Sequence, residues 1–152
     1  MTTFEFVVEG RPAPQGSKKS FGHGRMVEMS KYVKPWRAAV EAAAVLRKDA
    51  VGADDGHVFS KGVPVAMNVT FYLKRPKSHY RTGKYATVLR EDAPRWVVNT
   101  PDLSKLIRSS EDAITTAGLW ADDAQVVQHR SGQRWSDTGF EGAVINLSEV
   151  KE

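Results

Sequence analysis

Apolar residues recur along this chain with two periods, and each change of period marks an element. Residues 4–9 alternate as a strand does, and the run Gly10, Arg11, Pro12, Ala13, Pro14, Gln15, Gly16 stops them, since two prolines and two glycines suit no regular element. Phe21 to Glu28 contains Gly22 and Gly24 and reads as a short hairpin with Met26 and Val27 on the returning strand. From Ser30 to about Lys48 the period becomes helical: Trp36, Val40, Ala43, Ala44 and Leu46 share a stripe. Ser30 is the expected N-cap, and Pro35, tolerated in a first turn, puts the start of the helix near Lys34.

Residues 49–62 read as a loop. Val63 to Leu73 then reads as a strand with Val65, Met67, Val69, Phe71 and Leu73 on its core face. From Lys74 to Asn99 the chain is polar, basic and broken by Pro76, Gly83 and Pro94, the pattern of a long mobile loop centred on residues 76–98. Asp102 fits the N-cap of a second helix with the apolar stripe Leu103, Leu106, Ile107, Ala113, Ile114 and Ala117, closed by Gly118 at C′. Val126–Arg134 and Ala143–Leu147 read as two strands of a final β-hairpin joined through Ser136, Asp137, Thr138 and Gly139. These elements predict an α/β (α+β) fold, a single domain over residues 1–152 with a mixed sheet packed by two main helices.

Length and composition agree with one domain. The 152 residues suffice for one sizeable core, 41% hydrophobic content is ordinary, and no apolar run is long enough to span a bilayer. Without cysteine, disulfides and thiolate-ligated zinc are excluded, and a reducing cytoplasm is compatible. The N-terminus opens as a strand rather than as a secretory leader. Charge is segregated: residues 1–99 carry 17 Lys and Arg against 9 Asp and Glu, whereas residues 100–152 carry 5 against 9. Acidic groups embedded in a cationic protein suggest metal-assisted chemistry on a phosphate polyanion, with the basic half steering nucleic acid.

The carboxylates concerned are Asp102, Asp112 and the adjacent pair Asp122 and Asp123. Taken singly, each has a plain structural role. Asp102 can be only an N-cap, Asp122 and Asp123 only turn residues, and Asp112 the i,i+4 partner of Arg108. Leu119 and Trp120 read as core, and none of His23, His57, His79 and His129 has ligand spacing to another. Hydrolysis of a phosphodiester asks for a hard cation that lowers the pKa of a bound water, together with a nearby Arg or Lys for the developing charge; Asp102, Asp123 and Arg108 supply those types.

Pro101, Asp102, Leu103, the helix bearing Asp112 and Ala113, and then Gly118, Trp120, Asp122, Asp123, Ala124, Gln125, Val126 and Val127 resemble the signature of the RusA-type endodeoxyribonucleases that resolve Holliday junctions, many of them from phages and prophages. The loop from Gly10 to Lys18 is also similar to that of phage members. The resemblance implies a magnesium-dependent enzyme, with manganese as a substitute and no organic cofactor. It would be a homodimer that cuts four-way DNA junctions by paired symmetric nicks in the cytoplasm of a bacterial or phage-infected cell, off any membrane.

By position, Asp102 and Asp123 match the family's metal-ligating aspartates, with Asp122 as acidic neighbour. Ser104 stands where many members have a second aspartate, and Arg108 where they commonly present a lysine. The candidate DNA-binding residues are Arg11, Gln15, Lys18, Lys19, Lys74, Arg75, Lys77, Arg81, Lys84 and Lys105. Two other readings remain: a junction-binding relative whose cleavage is weakened by Ser104 and Arg108, and a single-strand nucleic-acid binder that stacks bases on Trp36, Trp96 or Trp135.

Overall fold

A four-stranded sheet covered on one face by two helices organises the computed structural model, which describes residues 3–15, 25–53 and 56–151. In chain order the main elements are β1 (Thr3–Glu9), α1 (Arg25–Ala50), β2 (Val65–Leu73), α2 (Leu103–Ala117), β3 (Val126–Trp135) and β4 (Gly142–Glu149). The strands lie in the order β1-β4-β2-β3. β4 runs antiparallel to both β1 and β2, and β3 runs parallel to β2. The architecture is therefore the mixed α+β domain expected, with α2 as the crossover between the two parallel strands.

The core lies between helices and sheet. Phe4, Phe6 and Val8 of β1, Val65, Met67, Val69 and Phe71 of β2, and Ala143, Ile145 and Leu147 of β4 are all buried. They meet Trp36, Val40 and Ala44 of α1 and Leu106, Ala113, Ile114 and Ala117 of α2. Buried hydroxyls fix the helices to each other and to the loop after β1: the Trp36 indole donates to Ser110 Oγ at 3.2 Å, and Ser109 Oγ donates to the Ala13 carbonyl at 2.7 Å. Where β4 begins, Gly142 has φ 155°, and a Cβ there would collide with the Val8 carbonyl.

Three expectations are corrected. Met26 and Val27 lie in α1 rather than on a hairpin strand, while Phe21–Gly24 fall outside the described residues. Ser30 is consequently inside α1, not its cap, and Pro35 sits in mid-helix, where its lost N–H costs one backbone bond that the burial of Trp36, Val40 and Ala44 offsets. Finally, β3 and β4 form no hairpin, because β2 lies between them and is paired to both. Alternation along each strand reveals which residues face the core but not which strand is the neighbour.

Residues 74–99 fold back in 3₁₀ turns at Lys77–His79 and Gly83–Tyr85 and in a bridge between Tyr80 and Leu89. Arg75 holds this segment. Its side chain is 4% exposed; Nε donates to the Ser136 carbonyl at 3.1 Å, Nη1 to the Pro94 carbonyl at 2.7 Å, and Nη2 to Asp137 Oδ1 at 2.7 Å. Assigning Arg75 to DNA is thus corrected: the fork geometry that suits guanidinium to phosphate is spent inside the protein. Arg75→Met should leave those carbonyls without a donor and cost about 2–4 kcal/mol. Thermal melting checks the loss, and trypsin should cut faster after Arg81 and Lys84, whereas Asp137→Asn, at a half-exposed position, should do much less.

Candidate active site

α2 carries the site, and its two ends are built differently. At the amino end Asp102 is the N-cap: its Oδ1 accepts from the Ser104 backbone N–H at 3.2 Å and from Ser104 Oγ at 3.1 Å. Ser104 thus contributes its hydroxyl to Asp102 itself, steering that carboxylate rather than standing free beside it. The residue ahead is fixed from the sheet, where the buried Gln133 amide of β3 donates to the Pro101 carbonyl at 2.9 Å and to the Val97 carbonyl at 3.2 Å. At the carboxyl end Gly118 takes φ 79° and its N–H returns to Ile114 and Thr115, as a C′ glycine does. Leu119 and Trp120 turn into the core as expected, with the Trp120 indole donating to Thr115 Oγ1 at 2.7 Å.

The acidic pair follows on a 3₁₀ turn, Asp123–Gln125, capped by Asp122, whose Oδ1 accepts from the Ala124 N–H at 2.9 Å. Gln125 locks the turn. Its Oε1 accepts from the N–H groups of Ala121 and Asp122 at 2.9 and 3.1 Å, and its Nε2 donates to the carbonyls of Ser60 and Val63 at 2.9 and 3.0 Å. Every polar atom of the Gln125 amide is engaged, so the Asp-Asp turn is anchored to the loop before β2 as well as to β3.

This anchorage sets Asp123 against the middle of α2, where it interacts with Glu111 and Asp112. Burial, then the charges of Asp123 and Asp112, push the Glu111 carboxyl up to about 7, against the opposing pull of Arg108. Burial first, then the shared proton and charge of Asp122 and the charge of Asp112, raise Asp123 as well. Asp122 moves the other way, held low chiefly by the Ala124 N–H. On β3, His129 Nε2 lies 3.9 Å from Glu111 Oε2, and burial lowers its pKa. The pattern is a set of oxygen donors that repel one another and share little positive charge, the electrostatic condition that a bound cation relieves.

Asp122 and Asp123 are therefore brought together with Glu111 and Asp112, while Asp102 lies about 14 Å back from Glu111 along the axis of α2. Among the described residues no group of three or more His, Asp or Glu side chains gathers tightly enough to hold a metal by itself. Arg108 is exposed on the intervening face, and no ion pair joins it to Asp112 among the described residues. Glu111 is the residue that reading the sequence missed. Its one signal was its place beside the apolar stripe of α2, one turn beyond the part-buried Ile107 and one turn before the buried Ile114.

Of the candidate DNA-binding residues, Lys74, Lys77, Arg81 and Lys84 are exposed along the 74–99 segment, and the Arg11 guanidinium lies 3.8 Å from the Tyr32 ring centroid. Gln15 and Lys105 are half-buried and tied together, the Gln15 N–H donating to the Lys105 carbonyl at 3.0 Å. Lys18 and Lys19 lie outside the described residues. Trp36 is buried in the core and cannot stack on a base, whereas Trp96 is 54% exposed. No helix among the described residues is long and apolar enough to cross a membrane.

A family model described as Endodeoxyribonuclease RusA matches residues 9–147, a span that contains every candidate site residue named above. Among curated proteins none matches the chain.

Glu111 gives the site a pH signature. Because its folded pKa lies above the ordinary carboxylate value of 4.5, the stability it lends is complete below pH 4.5 and is lost as pH rises through about 7. Glu111→Gln should therefore stabilise the chelator-treated protein at pH 8 by about 1–2 kcal/mol, its side chain being 18% exposed and still partly screened by solvent, and leave it unchanged at pH 4. Denaturant melts at the two pH values measure this difference.

Proposed function

Since the chain belongs to the RusA family of endodeoxyribonucleases, which resolve four-way DNA junctions, we propose that it is a divalent-metal-dependent junction resolvase that nicks opposed strands as a homodimer. Paired symmetric cuts need two sites related by a two-fold axis, which a dimer supplies. In a bacterial or phage-infected cytoplasm the reaction would debranch replicated or recombined DNA. The observation that carries the reading is the anchored Asp122–Asp123 turn set against Glu111 and Asp112, at the spacing from Asp102 that the family pattern requires.

The donor set suits magnesium, with manganese as a substitute: it is oxygen-only, and a hard cation of this kind is held by one or two carboxylates and several waters rather than by a full protein cage. Asp123 would hold it together with Asp122 and the carboxylates that Asp123 faces; Asp102, which matches the family's other ligand by position in the sequence, stands at the opposite end of α2 and would not ligate the same ion. When bound, the ion supplies charge neutralisation at the phosphodiester and an activated water. The chain's own residues do the rest. Gln125 and Gln133 fix the two acidic ends, Ser104 orients Asp102, and Arg108 offers a permanent cation to the developing phosphorane charge without acting as proton donor. Lys74 and Lys77 supply phosphate contacts.

Asp123→Asn and Asp102→Asn should each reduce magnesium-dependent nicking of a synthetic four-way junction by at least about a hundredfold while keeping junction affinity. Asparagine caps a helix as well as aspartate does, so Asp102→Asn should also keep the wild-type melting temperature. A variant at 102 that nicks normally would make that residue a helix cap and nothing more. Binding in which every variant and the wild type share the same affinity, with no nicking by any, would identify a junction-binding relative.

Lys74→Ala and Lys77→Ala should weaken junction binding and flatten its salt dependence, each lowering the slope of log K against log salt by about one. Titration of a labelled junction at several salt concentrations reads the slope.

A further inference from the structure

A cleft of about 590 Å³ opens beside α2 at the carboxyl ends of β2 and β3. Its walls come from the loop after β1, from α1, from the last residues of β2 and β3, and from Thr100 and Pro101, immediately ahead of Asp102. Its volume lies in the range of cavities that take small organic ligands. None of the roles assigned above accounts for it.

The lining combines apolar and charged side chains. Leu73, Pro101 and the indole of Trp135 offer flat apolar surface. The Trp135 ring is fixed by an edge contact with His79, 5.0 Å between centroids at 90°. Two exposed cations are among the lining: Lys74 and Arg11, the latter stacked over Tyr32. Glu141 adds a carboxylate, and neither it nor the Trp135 indole N–H has a side-chain hydrogen-bond partner among the described residues. Arg75 also reaches the lining, but its guanidinium is already engaged by Ser136, Pro94 and Asp137.

A small anion would use the cations and waste the apolar floor; an aliphatic ligand would leave Arg11, Lys74 and Glu141 unmatched. A heterocycle attached to phosphates matches all of them. Bases in a continuous duplex are stacked and cannot enter, whereas a nucleotide at a branch point can leave the stack at small cost.

We propose that this cleft receives one unstacked nucleobase of the strand being cut, with Arg11 and Lys74 on its flanking phosphates, Trp135 against its face and Glu141 accepting a hydrogen bond from its N–H edge. The inference rests on the nuclease reading for the identity of the strand. It adds that the enzyme senses a branch through a base it can extract, not only through the path of the backbone.

The test uses the full-length protein and two probes. The first is a set of four-way junctions in which single nucleotides around the nick are replaced by abasic residues. One such position should slow wild-type nicking by about tenfold, the effect of one lost base–aromatic stack. Trp135→Leu should nick intact and abasic junctions at equal rates, whereas Arg11→Ala, which loses a phosphate contact common to both, should slow both and keep the difference between them. The second probe is single-stranded pentadeoxycytidylate against an abasic pentamer of the same charge, followed through the Trp135 indole N–H resonance, which should move with the first and not with the second.

Wild-type indifference to every abasic position, or an indole that responds equally to both pentamers, overturns the proposal while leaving junction nicking intact as proof of the parent reading. A protein that nicks no junction yet shows the base-dependent indole shift refutes the nuclease reading and keeps the base site.

Discussion

β2 and β3 run parallel, and a parallel neighbour cannot be reached by a tight turn. The chain must leave one end of β2, cross the sheet and return to the other end before β3 can begin. Nearly everything chemical happens on that crossing. It places the start of α2 beside the carboxyl ends of the strands and its finish near their amino ends, so that Asp102 and the Asp122–Asp123 turn occupy opposite ends of one helix. It also forces the basic 74–99 segment, which precedes α2, to lie over the strand ends, where Arg75 ties it to the β3–β4 connection. With β4 inserted between β1 and β2, the sheet ends in β1 on one side and in β3 on the other.

Much of this was legible from local pattern. Both halves of the α2 description, the Asp102 cap and the Gly118 termination, follow from residue types that have one good conformation at a helix end, and the alternation of β2 marked its buried face correctly. The failures share a cause. Two nearby glycines give Met26 and Val27 the local pattern of a turn, and Pro35 by its own preference belongs in a first turn, yet the buried stripe of α1 outweighs both. Strand pairing is a property of the whole sheet, so no pattern within Val126–Leu147 could have shown that β2 separates its two strands.

The candidate site was legible by charge type and not by employment. Arg75 and Lys74 are equal in the sequence as cations, but one is buried under carbonyls and the other is exposed. Ser104 was recognisable as a departure from an acidic pattern, while its bond to Asp102 required coordinates. Glu111 lacked a motif and became visible only when the turn after Trp120 folded back against α2. Gln125 lay inside the recognised run of residues, yet its amide bonds to Ser60 and Val63 reach some sixty residues back along the chain, beyond any local reading.

Those two glutamines, Gln125 and Gln133, sit just before and near the end of β3, and each clamps one acidic end of the crossing. Strand, not helix, is therefore the ruler of the site: the eight residues from one clamp to the other, one of them the extra residue where the register shifts at the start of β3, fix a span of about 23 Å. A helix can fray or rotate slightly and keep its contacts, but a strand has only integral steps. One residue added to β3 between that shift and His129 would lengthen the ruler by about 3.3 Å and, in the same stroke, turn His129, Ser131, Gln133 and Trp135 from the helix side of the sheet to its open face. The metric of the site and the sidedness of its edge strand are thus a single quantity, and neither can drift without the other.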